Sequence, residues 1–404
     1  MLNTTLMVAI SSLLTLYGFY VIIFHQKIWN SCMERVKNQT SPSFIDKARN
    51  CSKLSRQLNR FILGPFMILM GIGLVYFVLI VEHISVDKKM NKLVLRGEHL
   101  TSIIVQKEAL YPEGIDYNPL NDKFIVGSFR EGAVYEVGLD GSYKKIINDT
   151  RLNSVLAVKV DIKRDRLLVV NSDIGSAIRP YDKGSKKLAS MAIYKLSTGE
   201  AIHFVNLGEL TTYENHLANG MTLDSAGNAY VTDSFAPIIY KIDINGKASI
   251  FLENDKFLGK GINLNGIVYH PDGYLIAIKK GDGTLFKIPL EKPNHFSIIK
   301  CTNKFVGGDG LILINNRELV VVANRASGEI TERAFSLESN DDWGSAIVTN
   351  NYRFGKKYIT TGVMRKNSVY VLHSNLNQLI SAPKEKKSEF IKKATIEQIG
   401  IVRD

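Results

Sequence analysis

Residues 265–273 read NGIVYHPDG, and residues 219–227 read NGMTLDSAG. Both open on Asn-Gly, alternate into a strand-like run and reach a polar turn closed by Gly, with the two asparagines 46 residues apart. Three further segments align with them without gaps over their first turns: EGIDYNPLNDKFIVGS from Glu113, LAVKVDIKRDRLLVVN from Leu156 and DGLILINNRELVVVAN from Asp309. Each is an apolar-alternating strand, a turn and a second strand. A third strand follows each one, as in GAVYEVGLDG, MAIYKLSTGE, PIIYKIDING, GTLFKIPLEK and the fainter GEITERAFSLE.

The unit starts are 43, 63, 46 and 44 residues apart, and KYITTGVMRKNSVYVLHSN supplies a sixth unit. A period near 45 repeated six times predicts an all-β, six-bladed β-propeller of four-stranded blades. An evenly spaced β-sandwich is the alternative, but a sandwich seldom repeats a polar-Gly start at one phase through four units. The longest interval holds an insertion at 173–191, a candidate lid. The last stretch, 381–404, is charged and helix-compatible, and is expected as a solvated tail.

In a propeller the first strand of each blade lines the central tunnel, so its opening residues form a ring. That position reads Glu113, Leu156, Asn219, Asn265 and Asp309, with the sixth obscured near Asp342-Trp343. Two carboxylates and two amides converging on an axis suit a hard cation: calcium first, with magnesium or manganese able to substitute. Any one Asx-Gly pair is equally well explained as turn chemistry; four at one repeat phase are not. Lys279 and Lys280, at the end of a second strand, are candidates to attract an anionic substrate, with surface solvation as the plainer reading. His216 and His295 are lone histidines, read as structural or solvated.

The ordered series EG, NG, NG and DG, with VVAN after the last, resembles the family of gluconolactonases, senescence marker proteins and luciferin-regenerating enzymes. The similar diisopropyl-fluorophosphatases and paraoxonases share its six-bladed calcium propeller. The resemblance covers about residues 100–380. It implies a calcium ion held by Glu113, Asn219, Asn265 and Asp309, and hydrolysis of a lactone, ester or phosphoester, with Glu113 or Asp309 orienting or deprotonating the attacking water. Two departures stand out: Leu156 leaves the second blade without a ligand, and no histidine falls at a readable equivalent of the one some relatives place near the metal.

The net charge of +12 is unevenly spread. Between His25 and Arg60 there are eight Lys or Arg against two acids, a net of +6. This basic segment, 25–60, separates two charge-free apolar stretches, Leu6–Phe24 and Phe61–Val81, each long enough to cross a bilayer as a helix. Residues 1–94 are therefore expected to form a membrane region with transmembrane helices at 6–24 and 61–81, followed by a propeller over 95–380. The positive-inside rule puts the basic loop in the cytoplasm and the propeller on the other side. A cleaved signal peptide is the alternative for the first stretch, but MLNTT lacks positive charge.

Charge concentrated beside the spans, without an aromatic-basic module, argues against a nucleic-acid partner. Cys32, Cys51 and Cys301 make no disulfide framework and no zinc spacing. The sequence thus leaves two functions in play. One is a membrane-anchored calcium-dependent hydrolase of a lactone or ester; the other is a non-catalytic propeller that binds a small ligand or protein, with calcium only structural.

Overall fold

Each of the five aligned stretches begins the innermost strand of an antiparallel sheet. The computed structural model describes residues 101–326, 329–355, 358–383 and 393–400. The expected spans at 6–24 and 61–81 and the loop between them lie outside the described residues. Among those described, no helix is long and apolar enough to cross a membrane.

Blade 1 is built from Pro112–Asn118, Lys123–Ser128, Ala133–Val137 and Tyr143–Ile147, paired in chain order from the inside outward. Blades 2, 3 and 4 repeat this order, with inner strands Ser154–Asp161, Ala218–Leu223 and Leu264–His270. Blade 5 starts at Gly308–Leu313 and blade 6 at Ile359–Arg365. Each inner strand contacts the inner strand of the next blade, and the sixth contacts the first. The six sheets therefore close on themselves as a six-bladed propeller.

The period-2 patterns explain why these segments pair as they do. In Tyr274–Lys279 and Arg166–Ser172 nearly every residue is buried, because a central strand of a blade is covered on both faces by its neighbours. The apolar side chains collect into six clusters, each lying between two adjacent blades. One joins Leu168, Val170 and Met191 of blade 2 to Met221, Val231 and Tyr240 of blade 3. Another joins Ile276 and Leu285 of blade 4 to Val321 and Phe335 of blade 5. No blade has a core of its own, so the stable unit is the closed ring. The HPDG turn after Asn265 is local: Gly273 takes φ +86 and its N–H donates to the His270 carbonyl at 3.0 Å.

The structure corrects the expected tail. Ala394–Ile399 is a strand of blade 6, paired on one side with Ser368–His373 and on the other with Ser102–Val105. A strand from each end of the domain thus completes the last blade. Ala394, Ile396 and Ile399 are buried, and the propeller extends past the expected limit at 380. The six-residue alternation is short, and one of its partners, Ser102–Val105, lies at the other end of the domain. Blade 5 also carries a fifth strand, Lys300–Cys301, which leaves the edge of blade 4 to pair in parallel with Ser345–Ala346.

Candidate functional site

A register shift interrupts the first pairing of every blade at the same level: Pro112/Ile115, Val155/Ala157, Ala218/Met221, Leu264/Ile267, Gly308/Leu311 and Ile359/Gly362. Such a bulge re-aims one side chain. The residues it carries are Glu113, Leu156, Asn219, Asn265, Asp309 and Thr360. All six line one cavity of about 60 Å³ on the propeller axis. The sixth position is therefore Thr360, and not Asp342-Trp343. Asp342 instead bonds Tyr274 and Lys287 of blade 4, and Trp343 is buried against the Asn316 carbonyl.

The glycines that follow four of the six ring residues have a steric cause. A methyl group at Gly114 would come within 2.7 Å of Ala157 Cα. One at Gly220 or Gly266 would run into the carbonyl oxygen of Asn265 or Asp309 in the next blade, and one at Gly310 into Thr361. Inner strands approach so closely on the axis that most of them cannot carry a side chain there.

At the end of the second strand in blades 2 to 5 lies a residue whose side chain reaches the next blade. Ser172 Oγ donates to the Ala218 carbonyl at 3.0 Å, and Ser234 Oγ to the Leu264 carbonyl at 2.5 Å. Asn324 Nδ2 donates to the Ile359 carbonyl at 2.8 Å. Lys280 holds the same place in blade 4, yet it reaches a ring side chain: Nζ donates to Asp309 Oδ2 at 2.9 Å and also bonds Asn324 Oδ1. Asn324 Nδ2 bonds the same Asp309 oxygen. Asn219 Nδ2 donates to Ser234 Oγ at 3.0 Å, which leaves its amide oxygen for other partners.

Glu113 is the least compensated carboxyl of this ring. It is buried, its Oε2 has no hydrogen-bond partner, and its carboxyl is held well above the usual range. Burial is the main cause and the nearby Asp309 charge the second, opposed by Lys280 and the Thr360 hydroxyl. A further carboxylate, Glu332, descends from the long blade 5 hairpin. Its Oε2 accepts from the Ile359 N–H at 3.2 Å, and burial raises its carboxyl despite the field of Lys280. Glu332 carries no signal in the sequence, and Asn324 was visible only as the last letter of VVAN.

Other expected positions fall elsewhere. Lys279 pairs with Asp282 at 2.8 Å and donates to the Lys256 carbonyl at 3.2 Å, so it does not join the ring. His216 is buried, with Nδ1 2.8 Å from Asp233 Oδ2, and His295 is exposed on the turn Pro293–His295. The blade 2 insertion is pinned in place. Arg179 donates to the carbonyls of Glu131, Gly132 and Leu152, and Arg130 to that of Ser176 at 2.6 Å. The insertion follows directly on Ser172, which pairs with Ser154 at the start of blade 2's inner strand.

A cavity of about 60 Å³ has room for a few waters or one hydrated ion, well short of a substrate-sized ligand. The ring donors are carboxylate, amide and hydroxyl oxygens, a set suited to calcium, magnesium or manganese. The unpartnered Glu113 oxygen beside a second carboxylate fits such an ion. Among the described residues no group of three or more His, Cys, Asp or Glu is arranged to hold a metal, consistent with only two ring ligands being acidic.

No protein-family model matches the chain, and no curated protein matches it. Solved structures do. The major Malassezia sympodialis allergen Mala s 1 is similar at 16% identity and TM-score 0.57, over 74% of this chain and 96% of that one. A luciferin-regenerating enzyme is similar at 11% identity and TM-score 0.50, over 74% and 96%. A gluconolactonase-type protein is similar at 11% identity and TM-score 0.51, over 76% and 94%. At these identities the likeness is one of fold.

Proposed function

We propose that the chain is a membrane-anchored hydrolase of a lactone or ester, with calcium held by Glu113, Asn219, Asn265 and Asp309. Magnesium and manganese are the alternatives for the ion. The observation that carries this reading is Glu113 Oε2, a buried carboxylate oxygen without a hydrogen-bond partner in a ring of oxygen donors. When bound, the cation supplies Lewis-acid polarisation of the substrate carbonyl.

The chain's own residues divide the remaining work. Glu113, made less acidic by burial and by Asp309, is suited to accept a proton from the attacking water. Asp309 has one oxygen engaged by Lys280 and Asn324, so it serves as a fixed anion. The narrow cavity keeps the substrate body outside, above the ring.

Metal analysis and calcium titration of the full chain in detergent, wild type against Asp309→Asn, test the ring. Measurable binding that is weakened or lost in the variant supports it; measurable binding that is equal in the two returns these residues to turn chemistry. A chain that binds calcium but shows no chelator-sensitive turnover on a broad lactone and ester panel overturns the hydrolase reading.

The Lys280 clamp favours a second reading, in which the propeller binds a small ligand or protein partner and the cation is structural. Its sign is Glu113→Gln and Asp309→Asn variants that lose calcium-dependent thermal stability yet keep partner binding. We also propose that the spans at 6–24 and 61–81 put the propeller on the non-cytoplasmic side of the membrane. In sealed vesicles of known orientation, protease should reach it only from that side; digestion from the cytoplasmic side alone overturns the orientation.

A further inference from the structure

Lys280 breaks the pattern of its ring. At the equivalent positions Ser172, Ser234 and Asn324 are neutral and bond a backbone carbonyl of the next blade. Lys280 carries a charge, and its Nζ bonds the side chains of Asp309 and Asn324 in the next blade in place of a carbonyl. Its ammonium and the Asp309 carboxylate are 6% and 7% exposed, so solvent does little to screen either. The groups that face Lys280 are Asp309 and Asn324 of blade 5, with Glu113 and Glu332 within its field.

We propose that Lys280 is a tethered counter-cation for the ring: it neutralises Asp309 when no metal is present, and a divalent ion competes with it for that carboxylate. This rests on the cation reading of the ring. The physical basis is direct. A buried carboxylate requires a partner charge, and an ammonium on a four-carbon stem supplies one without any solute. A metal ion that binds Asp309 then meets a fixed positive charge beside its ligand, which weakens binding by like-charge repulsion. Two consequences follow: the wild-type propeller stays folded when metal is stripped, and its metal site is weak and exchangeable.

The test is calcium titration by calorimetry on the full chain in detergent, for wild type, Lys280→Gln and Lys280→Met, with thermal unfolding in chelator and in calcium. Lys280→Gln removes the charge and keeps an amide hydrogen-bond donor on a side chain one atom shorter, so it separates the two roles if Lys280→Met folds poorly. The expected result is calcium binding at least tenfold tighter in Lys280→Gln than in wild type. With it goes a melting temperature that depends on calcium in the variant and little in wild type. Binding in Lys280→Gln that equals wild type within twofold, or is weaker, overturns the counter-cation proposal while leaving the metal ring standing. Absence of calcium binding in wild type and in both variants overturns the ring reading itself. Binding seen in Lys280→Gln but not in wild type supports both.

Discussion

Lys280 of blade 4 donates from Nζ to Oδ2 of Asp309 in blade 5 at 2.9 Å, and neither side chain is more than 7% exposed. Removing one partner of a buried pair leaves an uncompensated charge, which costs about 3–5 kcal/mol. Asp309→Leu should therefore destabilise the metal-free chain by about that much. The double variant with Lys280→Met should recover a large part of the loss. Denaturant unfolding of the four proteins measures the coupling, and strictly additive losses would remove the pair from the stability argument.

Gly220→Ala should destabilise by about 1–3 kcal/mol, the usual cost of overpacking, because the new methyl meets the Asn265 carbonyl of the next blade. Blade 2 already carries a methyl at this level in Ala157, so Ala157→Gly should cost no more than about 1 kcal/mol. Equal effects at the two positions would contradict the close approach of inner strands.

Ile396 is 1% exposed in the strand that closes blade 6. Ile396→Ala should cost about 2–5 kcal/mol, as for other core truncations. A chain ending at Lys393 should lose cooperative unfolding, since Ser102–Val105 then has no partner strand. A truncated chain that melts like wild type would show that blade 6 is dispensable.

Burial holds the Glu332 carboxyl above the ordinary range, so the folded chain binds its proton more tightly than the unfolded chain does. The stability this confers is present in full below the unfolded value, near 4.5, and is lost as pH rises through the folded one. Glu332→Gln does not titrate. Its melting temperature relative to wild type should thus improve as pH rises above about 4.5. A difference that stays flat across this range would refute the shift.

Burial also pushes the Cys301 thiol up to about 11. Near neutral pH little thiolate forms, so iodoacetamide should modify Cys301 roughly a hundredfold more slowly in the native chain than in denaturant. Peptide mass spectrometry separates it from Cys32 and Cys51. Comparable rates in the two states would show an accessible thiolate.

The ring positions Glu113, Leu156, Asn219, Asn265 and Asp309 were legible because a propeller repeats one local geometry, and a repeat shows itself in phase. Thr360 was not, since a hydroxyl in ITTGVMR carries none of the Asx-Gly signature. Glu332 escaped for another reason. It lies in the third strand of blade 5, Glu329–Glu338, away from the first-strand position that repeats, and its partner Ile359 belongs to the next blade.

The amino-acid order alone determined the blade count, the inner strands and the glycines that follow the ring residues, because strand alternation and turn chemistry act between neighbours in the chain. Closure of blade 6 by Ala394–Ile399 and Ser102–Val105, and the engagement of Asp309 by Lys280, were decided by the tertiary structure. Both join segments that only the closed ring brings together, and contact across a ring has no local signature.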